Sequence, residues 1–142
     1  MEPLGVYLAG NLHTEWRSRL KSMLVGVSIE FLEPKQGGTP SQFTPRDLVL
    51  IRRCDMLLAF LEEWDHSEAC RHIGTSAEIG YAHALGKPII LVNAWNQRIG
   101  SFEFLEAMAV SVVKYPTRSG VEEFRTDGLL MDAASILKFI VS

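Results

Sequence analysis

Short apolar runs alternate with amphipathic stretches along the whole chain, and this alternation is its strongest structural signal. Leu4 to Ala9 reads as a buried strand ending at Gly10. In Thr14 to Leu24, residues Trp16, Leu20, Met23 and Leu24 share one face, which predicts a helix. Val27 to Leu32 is a second strand, closed by Glu33-Pro34. Lys35 to Phe43 holds Gly37-Gly38, Pro40 and Ser41 and reads as a loop. Thr44 to Cys54 is a helix with Leu48 and Ile51 on its apolar side, and Met56 to Leu61 is the most apolar strand. Glu62 to Ile73 is a polar connection, long for a turn between strand and helix. Thr75 to Leu85 is a helix stopped by Gly86, with Pro88 just beyond. Ile89 to Asn93, Phe102 to Met108, Val110 to Lys114 and Asp127 to Val141 read as strand, helix, strand and closing helix.

Strict alternation of strand and helix implies a parallel sheet covered on both faces. Right-handed crossovers leave few topologies. The expected architecture is a single-domain α/β flavodoxin-like three-layer sandwich over residues 1–142. Its five-stranded parallel sheet has the order 2-1-3-4-5, and ligands sit outside the carboxyl ends of the strands.

Length and composition agree with one globular domain: 142 residues, 47% hydrophobic and 22% charged. The net charge of −3 and pI of about 5.8 argue against a nucleic-acid partner. Arg46, Arg52 and Arg53 interleave with an apolar helix face and read as solvated charges. Cys54 and Cys70 form no CxxC pair, so a reduced, cytoplasmic protein is expected. Met1-Glu2-Pro3 lacks the basic start of a signal peptide. No apolar run approaches the ~18 residues of a membrane span.

The topology sorts the polar residues. Gly10, Asn11, His13 and Thr14 follow the first strand, and Thr44 and Asp47 open the helix after the second. Trp64, Asp65, Gly74, Thr75 and Glu78 follow the third strand; Asn93, Trp95 and Asn96 follow the fourth. Asp55 begins the third strand and so lies on the opposite edge, which makes it a poor catalytic candidate.

Glu78 and Asp47 are the informative pair. Each is expected in the first turn of a helix, where the partial positive charge favours a carboxylate, so Glu78 is expected to stay ionised near neutral pH. Two carboxylates flanking a glycosidic bond can cleave it, one as nucleophile and the other handling the leaving group's proton. Helix capping is an alternative account of both acids. Thr75-x-x-Glu78 is a capping box, and Thr44-x-x-Asp47, with Pro45 at the first helical position, is nearly one. A capping acid can also face a ligand, so the two readings coexist.

Tyr7 lies in the first strand, where it is either a core tyrosine or part of a site; buried, it needs a hydroxyl partner. His13, Trp16 and Arg17 cluster at the start of the first helix, with Trp16 as core and Arg17 as a surface residue or an anion contact. His66, Cys70 and His72 with Asp65 match no zinc spacing and read as a polar loop; neither a metal nor another cofactor is expected.

Three stretches carry a resemblance: Val6-Tyr7-Leu8-Ala9-Gly10; Arg46-Asp47-Leu48 through Cys54-Asp55; and Gly74-Thr75-Ser76-Ala77-Glu78-Ile79-Gly80-Tyr81-Ala82 through Gly86-Lys87-Pro88. Over about residues 4 to 93 the chain resembles the nucleoside 2-deoxyribosyltransferase-like superfamily, which includes deoxynucleoside 5'-monophosphate N-glycosidases. The resemblance implies that Glu78 forms a covalent glycosyl intermediate, that Asp47 assists the leaving base and that Tyr7 positions the nucleophile. Gly10, Asn11, His13, Trp64, Asp65, Gly74 and Thr75 are the expected substrate-binding residues. Many members carry an aspartate shortly before the Gly-Thr pair, whereas here His72-Ile73 precede it.

The expected function is cleavage of the N-glycosidic bond of a nucleoside or nucleotide, with the sugar passing through Glu78 to another base or to water. Trp64 and Trp95 are candidates to stack on the base. The alternative is a non-catalytic nucleotide-binding or sensor module on the same fold. A scaffold role is a third reading, with Phe102, Phe104, Leu105 and Met108 as an oligomer surface; a homodimer or larger homo-oligomer is expected.

Overall fold

The computed structural model describes residues 2–12, 14–34, 40–62, 73–94, 102–114 and 126–142. Five strands alternate with five helices: β1 Leu4–Gly10, α1 Trp16–Met23, β2 Ile29–Leu32, α2 Pro40–Arg53, β3 Met56–Leu61, α3 Ile73–Ala84, β4 Ile89–Asn93, α4 Glu103–Met108, β5 Ser111–Lys114 and α5 Thr126–Val141. The strands form one parallel sheet in the order β2-β1-β3-β4-β5, with Val6 opposite Met56 and Leu57 opposite Ile89.

Successive side chains of a strand point to opposite faces, and the core divides accordingly. Val6, Leu8, Leu58, Phe60, Ile90 and Val92 face α1 and α5, where Trp16, Leu20, Leu130 and Leu137 complete one layer. Tyr7, Ala9, Leu57, Ala59, Ile89 and Leu91 face α2, α3 and α4, where Ile51, Ile79, Ala82 and Leu105 complete the other. Every residue of β3 and β4 is buried, the pattern of central parallel strands covered on both sides.

Four element starts differ from the sequence expectation by two residues or more. Strand β2 begins at Ile29, because Val27 closes a turn onto the Leu24 carbonyl and Gly26 takes a left-handed φ of 83°. Helix α1 begins at Trp16, because the Thr14 side chain turns to the Glu62 carboxylate instead, at 2.5 Å. Helix α2 begins at Pro40, so the last four residues of the expected 35–43 loop are helical. Proline suits a first helical position, where no N–H is needed. Pro45, expected there, lies inside the helix. Helix α3 begins at Ile73, two residues early.

The edge opposite the carboxyl ends is tightly bonded. The Gly5 N–H donates to Asp55 Oδ2 at 2.7 Å, and the Asp55 N–H donates to the Gly5 carbonyl at 2.8 Å. Asp55 sits on that edge, as the topology requires, and is exposed. Lys87 Nζ donates to the Cys54 carbonyl at 2.7 Å, tying the turn after α3 to the turn after α2.

Arg46, Arg52 and Arg53 are exposed along α2. Of the four residues expected to form an oligomer surface, Phe104 is 77% exposed, whereas Leu105 is buried and Phe102 and Met108 pack partly against the core. Among the described residues, no helix is long and apolar enough to cross a membrane, and no cluster of His, Cys, Asp and Glu could hold a metal ion.

Candidate active site

At the carboxyl ends of the central strands, three elements bring Tyr7, Asp47 and Glu78 together. Tyr7 is the fourth residue of β1 and wholly buried on the sheet face covered by α2 and α3. Its hydroxyl donates to Glu78 Oε2. Glu78 stands in the second turn of α3, one helical turn after the buried Thr75. Asp47, on α2, is partly buried, and its Oδ1 is enclosed without a hydrogen-bond partner among the described residues.

The early starts of α2 and α3 overturn the capping reading. Glu78 is the sixth residue of its helix and Asp47 the eighth, beyond the first turn where orphan N–H groups favour a carboxylate. What governs Glu78 instead is burial, which pushes its carboxyl up to about 7. Asp47 acts in the same direction through its charge, while the Tyr7 hydrogen bond and the charge of Arg17 oppose. Glu78 thus keeps its proton to higher pH than an ordinary glutamate instead of being held ionised by a helix end. Burial also raises Asp47 above the usual carboxylate range, against the charges of Arg46 and Arg17. Burial and the Glu78 charge push the Tyr7 phenol far up, so it is a hydrogen-bond donor and not a base.

The turn after β1 is shaped by Trp16 and Arg17. The indole Nε1 donates to the Asn11 carbonyl at 3.1 Å, and the ring stacks on Phe60 with centroids 5.1 Å apart. Gly10, with φ of 153°, brings the backbone so close that an added Cβ would lie 2.8 Å from Trp16 Cζ2 and 2.9 Å from the Phe60 carbonyl oxygen. Arg17 is buried rather than at the surface. Its guanidinium donates to the carbonyls of Leu8 and Gly10 at 3.0 Å and of Asn11 at 2.7 Å, and lies 4.7 Å from the Trp16 ring centroid.

Gly10, Asn11, Gly74 and Thr75 stand on the carboxyl edge, as does the buried Asn93 at the end of β4. His13, Trp64, Asp65, His66, Cys70, His72, Trp95 and Asn96 lie outside the described residues. Sequence reasoning misses two acids. Glu33, just past β2, lies 3.8 Å from Arg17 and 2.5 Å from Lys21, and Glu62, just past β3, accepts from Thr14. Their signal is the strand order itself, which sets the ends of β2 and β3 on either side of the β1 turn.

Solved structures share this architecture. A CMP N-glycosidase from Clostridium botulinum matches with a TM-score of 0.61 at 21% identity, over 93% of this chain and 98% of the other. A 2-deoxyribosyltransferase from Leishmania mexicana matches with a TM-score of 0.61 at 19% identity, over 94% and 98%. The sugar isomerase domain of an RpiR transcription factor from Sphaerobacter thermophilus matches with a TM-score of 0.58 at 16% identity, over 99% and 70%. At these identities the likeness is one of fold. Comparison with curated proteins gave no significant match. The sequence model of the family described as nucleoside 2-deoxyribosyltransferase matches residues 6–131, so it takes in most of β1, all three residues of the carboxylate–phenol cluster and most of the sheet. The chain belongs to the nucleoside 2-deoxyribosyltransferase family.

Proposed function

We propose that this protein cleaves the N-glycosidic bond of a nucleoside or nucleotide and passes the sugar to a second base or to water. The observation that carries the reading is the Tyr7 hydroxyl donating to a buried Glu78 carboxylate, beside the enclosed Oδ1 of Asp47, in a member of this family. The ionised Glu78 attacks C1' of the sugar, a carbon–oxygen ester bond forms, and the C1'–N bond breaks. Its electron pair goes to the departing base, which takes a proton from Asp47, an acid whose proton affinity burial raises. A second base or a water molecule then attacks C1', returns a proton to Asp47 and releases Glu78. Tyr7 holds the attacking oxygen in place throughout. Gly10, Asn11, Gly74 and Thr75, with His13, Trp64 and Asp65, are the residues proposed to line the substrate.

The test is chromatographic. Purified protein is incubated with deoxy- and ribonucleosides and their 5'-monophosphates, each with and without a second base, beside Glu78→Ala. Free or exchanged base that disappears in the variant is the expected result. Full release by Glu78→Ala would overturn the mechanism. Silence across the panel, with one of these compounds raising the unfolding temperature, would instead identify a binding module.

A further inference from the structure

Arg17 is a costly residue to place where it stands. An arginine that is 8% exposed has lost most of its hydration, and such residues occur where they are paired or bonded. Its bonds go to three main-chain carbonyls at the carboxyl end of β1, those of Leu8, Gly10 and Asn11. Leu8 is the neighbour of Tyr7, whose hydroxyl holds Glu78. A single planar fork thus fixes the backbone immediately after the residue that orients Glu78.

Among the described residues, the charges around it come from several elements. Glu33 beyond β2 lies 3.8 Å away, Glu62 beyond β3 and Tyr7 on β1 add their fields, and Glu78 on α3 faces it from the other side of the strand. Among the described residues, Tyr7, Arg17 and Asp47 act on Glu78, and Asp47 in turn feels Arg46 on α2. Among the described residues that act on Glu78, Arg17 is the cation.

We propose that Arg17 is a positioning residue for the Glu78 site: clamped onto the Leu8, Gly10 and Asn11 carbonyls, it fixes the end of β1 that carries Tyr7, whose hydroxyl holds Glu78. This inference rests on the role assigned to Glu78 above. A residue that merely filled space would be replaceable by any side chain of its volume, without effect on how Glu78 titrates. A clamp that also supplies charge has two separable effects, since lysine keeps the charge and loses the fork.

The experiment measures both. Protein labelled with 13C at the glutamate carboxyl carbons is titrated by NMR, the Glu78 signal being assigned by its loss in Glu78→Gln, and base release is followed in the same samples. In Arg17→Met the Glu78 midpoint should rise by about 0.5–1 pH unit, the scale of losing one facing charge at an effective dielectric near 20. In Arg17→Lys the midpoint should move less than in Arg17→Met, because the charge is kept, while kcat falls about tenfold or more at nearly constant KM, because the fork that fixes β1 is gone. An unmoved midpoint in a folded Arg17→Met overturns the proposal. Should Arg17→Met fail to fold, Arg17→Lys decides: wild-type kcat overturns the clamp, and a kcat reduced about tenfold at nearly constant KM supports it. Absence of base release in the wild type would instead refute the proposed activity, and the titration would still report whether Arg17 acts on Glu78.

Discussion

The hydroxyl of Tyr7 and the carboxylate of Glu78, 71 residues apart in sequence, are joined by a hydrogen bond across the buried face of the sheet. The phenol comes from the middle of a strand and the acid from a helix packed over it, so neither can shift without disturbing the core. The bond opposes the burial that raises the carboxyl.

Tyr7→Phe should therefore retain the fold and impair the site. The ring keeps its packing, but a hydrogen bond to a charged acceptor is lost, worth about 1.5–3 kcal/mol. Base release at neutral pH should fall by about tenfold to a hundredfold. The acid limb of its pH profile should move alkaline from about 7, because the Tyr7 bond pulls Glu78 downward. A profile that keeps its shape and loses only amplitude would mean that Tyr7 does not tune Glu78.

Glu78 should also make folding stability depend on pH. Its ordinary value is 4.5 and burial raises it to about 7, so the unfolded chain gives up this proton first as pH rises. The corresponding stability is fully present below about 4.5, declines as pH rises, and is lost once pH passes about 7. The loss amounts to at most about 3 kcal/mol. Glu78→Gln cannot ionise and should escape it, so the variant should gain on the wild type between pH 4.5 and 8 in urea titrations. Parallel curves over that range would contradict the raised carboxyl.

Much of the fold and part of the site are legible in the amino-acid sequence. Met56–Leu61 and Ile89–Asn93 match their expected bounds to the residue, because a strand buried on both faces is an unbroken apolar run bounded by polar residues. The order 2-1-3-4-5 follows from alternation and handedness, and it sends Tyr7, Asp47 and Glu78 to one edge and Asp55 to the other. The helix starts are less legible. Two prolines, Pro40 and Pro45, compete for the first position of α2, and the local pattern favours Thr44-Pro45 over the true start. That four-residue error turns Asp47 into a cap, and a two-residue error does the same for Glu78. The expected ionisation of Glu78 fails for the same reason, since a dipole argument depends on lying in the first turn. The roles of Arg17, Glu33 and Glu62 depend on contacts between distant segments, and no local pattern encodes these.

Gly10→Ala tests how closely the β1 turn is packed. The added methyl would press on the Trp16 ring and the Phe60 carbonyl in a backbone conformation that side chains rarely adopt, and should cost about 1–3 kcal/mol. Gly26 has a left-handed φ of 83° with nothing within 4 Å of an added Cβ, so Gly26→Ala carries the backbone strain alone. Denaturant unfolding should show the larger loss for position 10. Equal losses would mean that the contact with Trp16 adjusts freely.

The bond from Lys87 to the Cys54 carbonyl bears on how such a protein can diversify. It ties together the ends of α2 and α3 at the edge opposite the carboxyl ends of the strands, behind Asp47 and Glu78. Connections on the ligand side can then lengthen, shorten or change residues without altering that tie. Reaction chemistry and substrate preference become separately inheritable: one is written in the bonded edge and the helices it aligns, the other in loops that can drift.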